Sequence, residues 1–184
     1  MKNKNDLVLA LLYAPGYKGK FNEPIQGITR LMKLLFLINK STELGIKLEF
    51  EPFKMGPYSS DVYSALEFFQ NYPSPESPLI VVDKDTDEDA GARKLENKKF
   101  VDDAISDEPD GFYAANSIFK LSELGELLAQ KLWNDEVDEL TKSNIANIKK
   151  QFGVMSLNSL LRYVYDRYPE MTENSQIKDS IYGK

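Results

Sequence analysis

The chain contains no cysteine and no histidine. The first absence excludes disulfides, thiolate catalysis and cysteine-ligated metals. The second excludes Ser-His and Cys-His nucleophilic systems and removes the commonest zinc ligand. An enzyme built from these 184 residues would rest on carboxylates, Lys, Tyr or Ser alone. The Asp and Glu residues are scattered and form no paired-carboxylate constellation, so a hydrolase or nuclease ranks last. No catalytic residue, metal site or cofactor is expected. Long apolar runs are also missing. The most apolar stretch, residues 25–40, is interrupted by Arg30 and Lys33 and falls short of a bilayer span. The opening M-K-N-K-N-D-L-V-L-A-L-L-Y-A-P has an apolar run shorter than a signal core, and no A-x-A-like cleavage site follows. A cytoplasmic protein is expected, with no membrane partner.

What is present fits a domain with a real core: 42% of residues are hydrophobic and 28% charged. Net charge is −6, unevenly spread. Residues 1–60 carry net +4, residues 61–140 net −13 and residues 141–184 net +3. Such asymmetry predicts surfaces of opposite sign rather than the uniformly basic body of a general nucleic-acid binder.

The chain is organised around I-Q-G-I-T-R-L-M-K-L-L-F-L-I-N-K, residues 25–40. Ile28, Leu31, Met32 and Leu34 to Ile38 leave only Thr29, Arg30 and Lys33 for water, which predicts a central helix covered on most sides. Asn22 is its expected N-cap and Gly45 its C-cap. Before it, a helix is expected over Asp6–Tyr13, capped by Asp6. After it, the alternation of Ile46, Leu48 and Phe50 predicts a half-buried strand over Ile46–Phe53.

Gly56-Pro57 then turns the chain, and Ser59 or Ser60 caps a helix whose core stripe is Val62, Ala65, Leu66 and Phe69. Residues 71–78 read as a stiff loop, 79–82 as a short strand, 93–105 as helix or disorder, and 112–121 as a strand. A helix over Glu123–Trp133 should turn Leu124, Leu127, Leu128 and Leu132 inward. Next come a helix over Asp135–Phe152, ending in the dipole-matched pair Lys149-Lys150, and another over Leu157–Tyr168. Residues 172–184 read as a fraying tail.

Two features carry a resemblance. The succession helix, helix, strand, G-P-Y-S, helix, acidic strand and then F-K-L-S-E-L-G-E-L-L is similar to winged-helix proteins. There, a [YF]-x-L-[ST]-x-x-G pattern leads from the wing into a long helix, here Phe119 to Gly125. More narrowly, T-R-L-M-K-L-L-F-L followed by F-K-M-G-P-Y-S-S-D-V-Y resembles the Panacea-type domain of SocA-like antitoxins and the related YwgA-like proteins. The resemblance covers about half the chain. It departs from the family at Met55, where an aromatic often precedes Gly-Pro, and in the long 79–118 insertion. It implies toxin neutralisation, chaperone-adaptor or defence-associated roles.

The expected fold is therefore α+β and mainly α, a single domain over 1–184. A winged-helix-like core over 1–133 would carry an acidic insertion around 83–110, and a helical extension would cover 134–172. The small antiparallel sheet would use residues 46–53, 79–82 and 112–121, with the C-terminal helices packed on it. The expected function is a non-catalytic module binding a protein partner: a toxin, a chaperone or a defence component. The alternative is a winged-helix transcriptional regulator binding DNA. A homodimer through the C-terminal helices is a further expectation.

Candidate partner- or phosphate-binding residues are Arg30, Lys33, Lys54, Tyr58, Ser59, Tyr63, Arg162 and Arg167. Arg30 and Lys33 are three apart on one helix face and could hold a phosphate or a carboxylate, although a wet helix edge explains them as well. Tyr58, Ser59 and Ser60 open a helix and could receive an anion, against the plainer reading of a turn and N-cap. The helix from Ser60 offers Asp61, Ser64, Glu67 and Gln70 outside its core stripe, which argues against major-groove reading. Asp85, Asp87, Asp89 and Glu96 fit calcium-loop positions 1, 3, 5 and 12, but position 6 is Ala90 rather than Gly, so a solvated turn is the better reading. Tyr163, Tyr165 and Tyr168 beside Arg162 and Arg167 have the composition of an interface.

Overall fold

The computed structural model describes residues 1–45, 47–84 and 117–183. It is a mainly helical α+β protein with small antiparallel sheets. The helices are α1 (Lys4–Tyr13), α2 (Ile28–Ser41), α3 (Ser60–Asn71), α4 (Glu123–Glu136), α5 (Glu139–Phe152), α6 (Leu157–Arg167) and α7 (Lys178–Tyr182), with a 3-10 turn at Pro169–Thr172. The strands are β1 (Ile25–Gln26), β2 (Glu51–Phe53), β3 (Gly56–Tyr58), β4 (Pro73–Ser74), β5 (Ser77–Pro78), β6 (Ile80–Lys84) and β7 (Ser117–Leu121).

The central helix lies where its composition puts it. Every residue of α2 from Ile28 to Asn39 except Arg30 is buried. At about 1.5–3 kcal/mol per fully buried large apolar side chain, this helix contributes more to hydrophobic stabilisation than any other single element. α5 and α6 pack against it. This corrects the expectation that the C-terminal helices cover the sheet: α2 is apolar on nearly all sides and needs them more. Thr29 and Lys33 are buried as well, so neither faces water.

The main sheet has the order β1-β7-β6, with Ile25 opposite Phe119 and Val82 also opposite Phe119. Residues 51–53 do not join it, contrary to expectation. They fold back on residues 56–58 as a separate hairpin, pairing Phe53 with Gly56 and Glu51 with Tyr58. Residues 47–50 form no strand, because Asn39 on α2 takes both backbone groups of Leu48 with its side-chain amide. The expected loop at 71–78 contains a two-residue hairpin, β4 with β5. The expected strand over 112–121 is described from Ser117 on. Residues 112–116, the 93–105 segment, the calcium-like positions 85–96 and most of the acidic insertion lie outside the described residues.

Several helix ends differ from expectation for local reasons. Asn3, not Asp6, is the N-cap of α1; its side chain accepts from the Asp6 backbone while the Asp6 carboxylate returns to the Asn3 backbone. Asn22 does not cap α2. It sits at φ 54°, and its amide pairs with both backbone groups of Leu121, fastening the strand β7. Gly27, at φ 84°, opens α2 instead, and Thr42 rather than Gly45 ends it. The helix expected over 135–152 begins at Glu139, because the Asp138 side chain caps α5 at Thr141, and residues 135–136 belong to the end of α4. The expected tail is anchored: Ile177 and Ile181 are buried, and the Gln176 backbone N–H donates to the Lys54 carbonyl.

α4 is turned relative to expectation. Gly125, Ala129 and Trp133 face inward, whereas Leu124, Leu127 and Leu128 are exposed and Leu132 is half-buried. The close approach of α4 to the main sheet explains this. A Cβ on Gly125 would lie 1.9 Å from the Leu79 carbonyl oxygen, so only the small-residue face can dock there. One buried cluster runs from Leu7 to Ile181 and draws on every α-helix and on β1, β3, β6 and β7.

Candidate functional site

The corner where α2, the β2–β3 hairpin and α3 meet brings together three of the eight predicted contact residues, Lys33, Tyr58 and Tyr63. α2 contributes Ile28, Thr29, Met32 and Lys33, one turn of one face. The hairpin contributes Met55, Gly56, Pro57 and Tyr58, and α3 contributes Tyr63. Gly56, at φ 86°, lets the hairpin turn against Tyr165, whose ring would lie 2.7 Å from any Cβ there. Together these residues line a shallow recess with about 10 Å³ of enclosed space, room for about one water.

Lys33 is 3% exposed and its Nζ donates to the Pro57 carbonyl at 2.9 Å. Thr29 Oγ1 lies 3.8 Å from the Met55 sulfur. The Tyr58 ring centroid is 4.9 Å from that of Phe53 and 5.6 Å from that of Tyr63. The recess thus has the Lys33 side chain at its foot under aromatic and thioether walls.

Lys33, Tyr58 and Tyr63 come together there; the other predicted residues do not join them. Arg30 turns away from Lys33. Its Nη1 donates to the carbonyls of Phe152 at 3.2 Å and Met155 at 2.6 Å, and its Nε to that of Gln26. Burial lowers its pKa below the ordinary guanidinium value. The pair is therefore neither a phosphate clamp nor a wet helix edge. Ser59 is buried, and its Oγ has no hydrogen-bond partner and does not cap α3. The Asp61 carboxylate, in the first turn of that helix, accepts from Lys4 Nζ and the Glu49 backbone N–H, both at 2.9 Å, and puts negative charge where an anion would approach.

Lys54 Nζ lies 5.8 Å from the Phe53 ring centroid. On α6, Arg162 lies over the Tyr182 ring at 5.6 Å and Arg167 is exposed near the helix end. Of the C-terminal tyrosines, Tyr165 is in the core. Burial pushes its pKa up to about 12, and its hydroxyl pairs with Ser175 at 2.8 Å.

Two features escaped the sequence reading. Lys149 is expected to be a charge matched to the dipole at its own helix end, but it is 3% exposed and donates to the carbonyls of Leu12 at 2.7 Å and Ala14 at 2.8 Å. Burial lowers its pKa to about 7. No signal in one sequence marks it out from Lys150. The second is the ring pair Phe68 and Tyr72, stacked at 5.0 Å and 45% and 48% exposed at the end of α3. Here a signal existed, since Phe68 falls outside the helix's core stripe.

Among the described residues no group of acidic side chains is placed to hold a metal ion, and no helix is long and apolar enough to cross a membrane. Comparison with protein-family models, curated proteins and solved structures finds no match to this chain. The likeness to Panacea-type and YwgA-like proteins therefore rests on the residues quoted for it.

Proposed function

We propose that this chain is a non-catalytic interaction module, antitoxin-like or defence-associated, that works in the cytoplasm by binding a protein partner: a toxin, a chaperone or a defence component. One observation carries the reading. The outward face of α3 combines Ser64, Glu67 and the exposed ring of Phe68, continued by Tyr72, and α3 contains no Lys or Arg. Exposed aromatics rimmed by polar groups suit a protein surface, and carboxylates repel phosphate. The shallow recess beside α3, walled by Tyr58 and Tyr63, extends this aromatic surface.

The test is affinity capture from the cells that make the protein, with the wild type and a Phe68→Asp, Tyr72→Asp variant side by side. One protein species retained by the wild type and lost from the variant is expected. Equal capture by both, or none by either, overturns the reading.

A second reading, a DNA-binding regulator, draws support from the topology. The three-stranded sheet β1-β7-β6 and the helices α1, α2 and α3, with the β2–β3 and β4–β5 hairpins set between them, support a likeness to a winged-helix core. In that arrangement α3 is the groove-reading element, and its acidic face is why the protein partner is preferred. A gel shift at low salt separates the two: retardation that fades steeply with added salt favours DNA.

A further inference from the structure

The segment between α1 and β1 forms a tightly built projection. The Gly16 backbone N–H donates to the Lys20 carbonyl, and that of Gly19, at φ 74°, to the Gly16 carbonyl. The Glu23 carboxylate accepts from the backbone N–H of Lys18 at 3.2 Å and of Lys20 at 2.9 Å. The one carboxylate of this loop thus shapes it instead of neutralising its lysines. Neither Lys18 nor Lys20 has an ion pair among the described residues. Phe21 leans on Tyr13 at 4.8 Å and on Trp133 at 6.2 Å yet keeps part of its ring in solvent, and Tyr17 is 70% exposed. The result is a pre-ordered, cationic and aromatic knob.

Beside it lies a surface of the opposite kind. Leu124, Leu127 and Leu128 stand outward on α4 at i, i+3 and i+4, with Leu127 65% exposed. Glu123, Glu126 and Asp135 flank this stripe against one lysine, Lys131. The two surfaces are joined at their base, because the Asn22 amide donates to Glu126 at 3.1 Å and to the Leu121 carbonyl. Contiguous exposed leucines of this sort mark an interaction site rather than ordinary surface.

We propose that the occupant of both surfaces is a second copy of this chain. In an isologous dimer the 16–21 loop of each protomer lies on the α4 leucine stripe of the other. The argument is self-complementarity. Tyr17 and Phe21 meet the leucines, and Lys18 and Lys20 meet Glu123 and Asp135. A two-fold operator makes every such contact twice, which helps two small patches reach the ~800 Å² per partner of a specific interface. Nucleic acid fits less well. Two lysines neutralise about two phosphates, too few for firm binding, and Glu123 and Glu126 repel the rest of the strand. This inference is independent of the α3 partner face, and its failure leaves that reading untouched.

Sedimentation velocity of the full chain over about 1–100 µM, the range in which a modest interface dissociates, is the test. The wild type should sediment as a dimer at the upper end. Leu127→Glu, and separately Lys18→Glu with Lys20→Glu, should weaken dimerisation at least tenfold while leaving the thermal midpoint of folding unchanged at concentrations where every variant is monomeric, since these side chains are exposed. The loop variant mixed with Glu123→Lys should form a heterodimer, because each loop then meets a stripe of opposite charge. A wild type monomeric over the whole range overturns the proposal, as does a dimer indifferent to these substitutions. A monomer that retains single-stranded oligonucleotide through Lys18 and Lys20 overturns it in favour of nucleic acid.

Discussion

Lys149 makes stability depend on pH in a direction opposite to acid-stabilised proteins. Its ammonium group is buried against the Leu12 and Ala14 carbonyls at the end of α1, with Glu23 the charged group acting on it. Desolvation dominates and lowers its pKa from 10.5 to about 7. A base with a lowered folded pKa binds fewer protons in the folded state than in the unfolded state between those two values. Stability therefore rises with pH across that window and is lowest below it, where both states carry the charge. The whole fall corresponds to ~5 kcal/mol at 1.36 kcal/mol per pH unit, and the part between pH 7 and pH 9 to ~2 kcal/mol. The neutral amine still has two N–H donors, which matches the two carbonyls it serves.

The window is unusually clean, because the chain has no histidine and no cysteine to titrate in it. Urea unfolding of the wild type and of Lys149→Met at pH 6, 7, 8 and 9 isolates the group, ideally on protein acetylated at its α-amino group. The variant leaves two carbonyls without their donor, a cost of ~1–3 kcal/mol each at high pH, where the lysine is neutral and its loss most damaging. Near pH 6 the variant also sheds a buried charge, so the gap to wild type should narrow by ~2 kcal/mol. Parallel pH curves for the two proteins would refute the assignment.

Three further outcomes follow from single contacts. Gly125→Ala should destabilise by about 3 kcal/mol in denaturant unfolding, since its Cβ would meet the fixed Leu79 carbonyl, and a neutral result would mean α4 is not so seated. Asn39→Ala should cost about 2 kcal/mol by loss of both Leu48 hydrogen bonds and should increase hydrogen exchange at Leu48. Ser59→Ala removes a buried hydroxyl that has no partner, so the thermal midpoint should hold or rise, by up to about 1 kcal/mol in stability. A fall of that size would mean the hydroxyl is bonded.

Helices α1 to α6 were legible in the sequence as apolar or one-sidedly apolar segments, and α2 most of all, being apolar nearly all round; α7 was not, because it lies in a polar stretch. Rotation about a helix axis was less legible. In α4 the leucines made the more apolar face, yet the helix docks through Gly125 and Ala129, because the Leu79 carbonyl lies too close for anything larger. Small residues score poorly on hydrophobicity and well on close approach, and a periodicity argument sees only the first. Strand partners were the least legible. Asn39 holds the backbone of Leu48 out of a strand, and Asn22 and Gly27 bond the two ends of β7 at Leu121 and Ser117, contacts that sequence spacing does not encode.

The cations were misread for a reason that bears on function. A helix ends with carbonyls that lack intrahelical partners, and a left-handed glycine commonly serves them. Here α1 leaves through Ala14 in an extended conformation, and α5 leaves through Gly153 in the right-handed region, so neither end has that motif. Lys149 takes the orphaned carbonyls of α1 and Arg30 takes that of Phe152 in α5. Lys33 does the same for Pro57 in β3. Three cations that a sequence reader assigns to phosphate or to solvent are thus internal fasteners. They are not available to a phosphate, and the exposed faces of α3 and α4 are carboxylate-bearing and apolar. Surfaces of that kind are matched by the basic and aromatic groups of another polypeptide rather than by a phosphate backbone, and on this ground a protein partner is preferred to DNA.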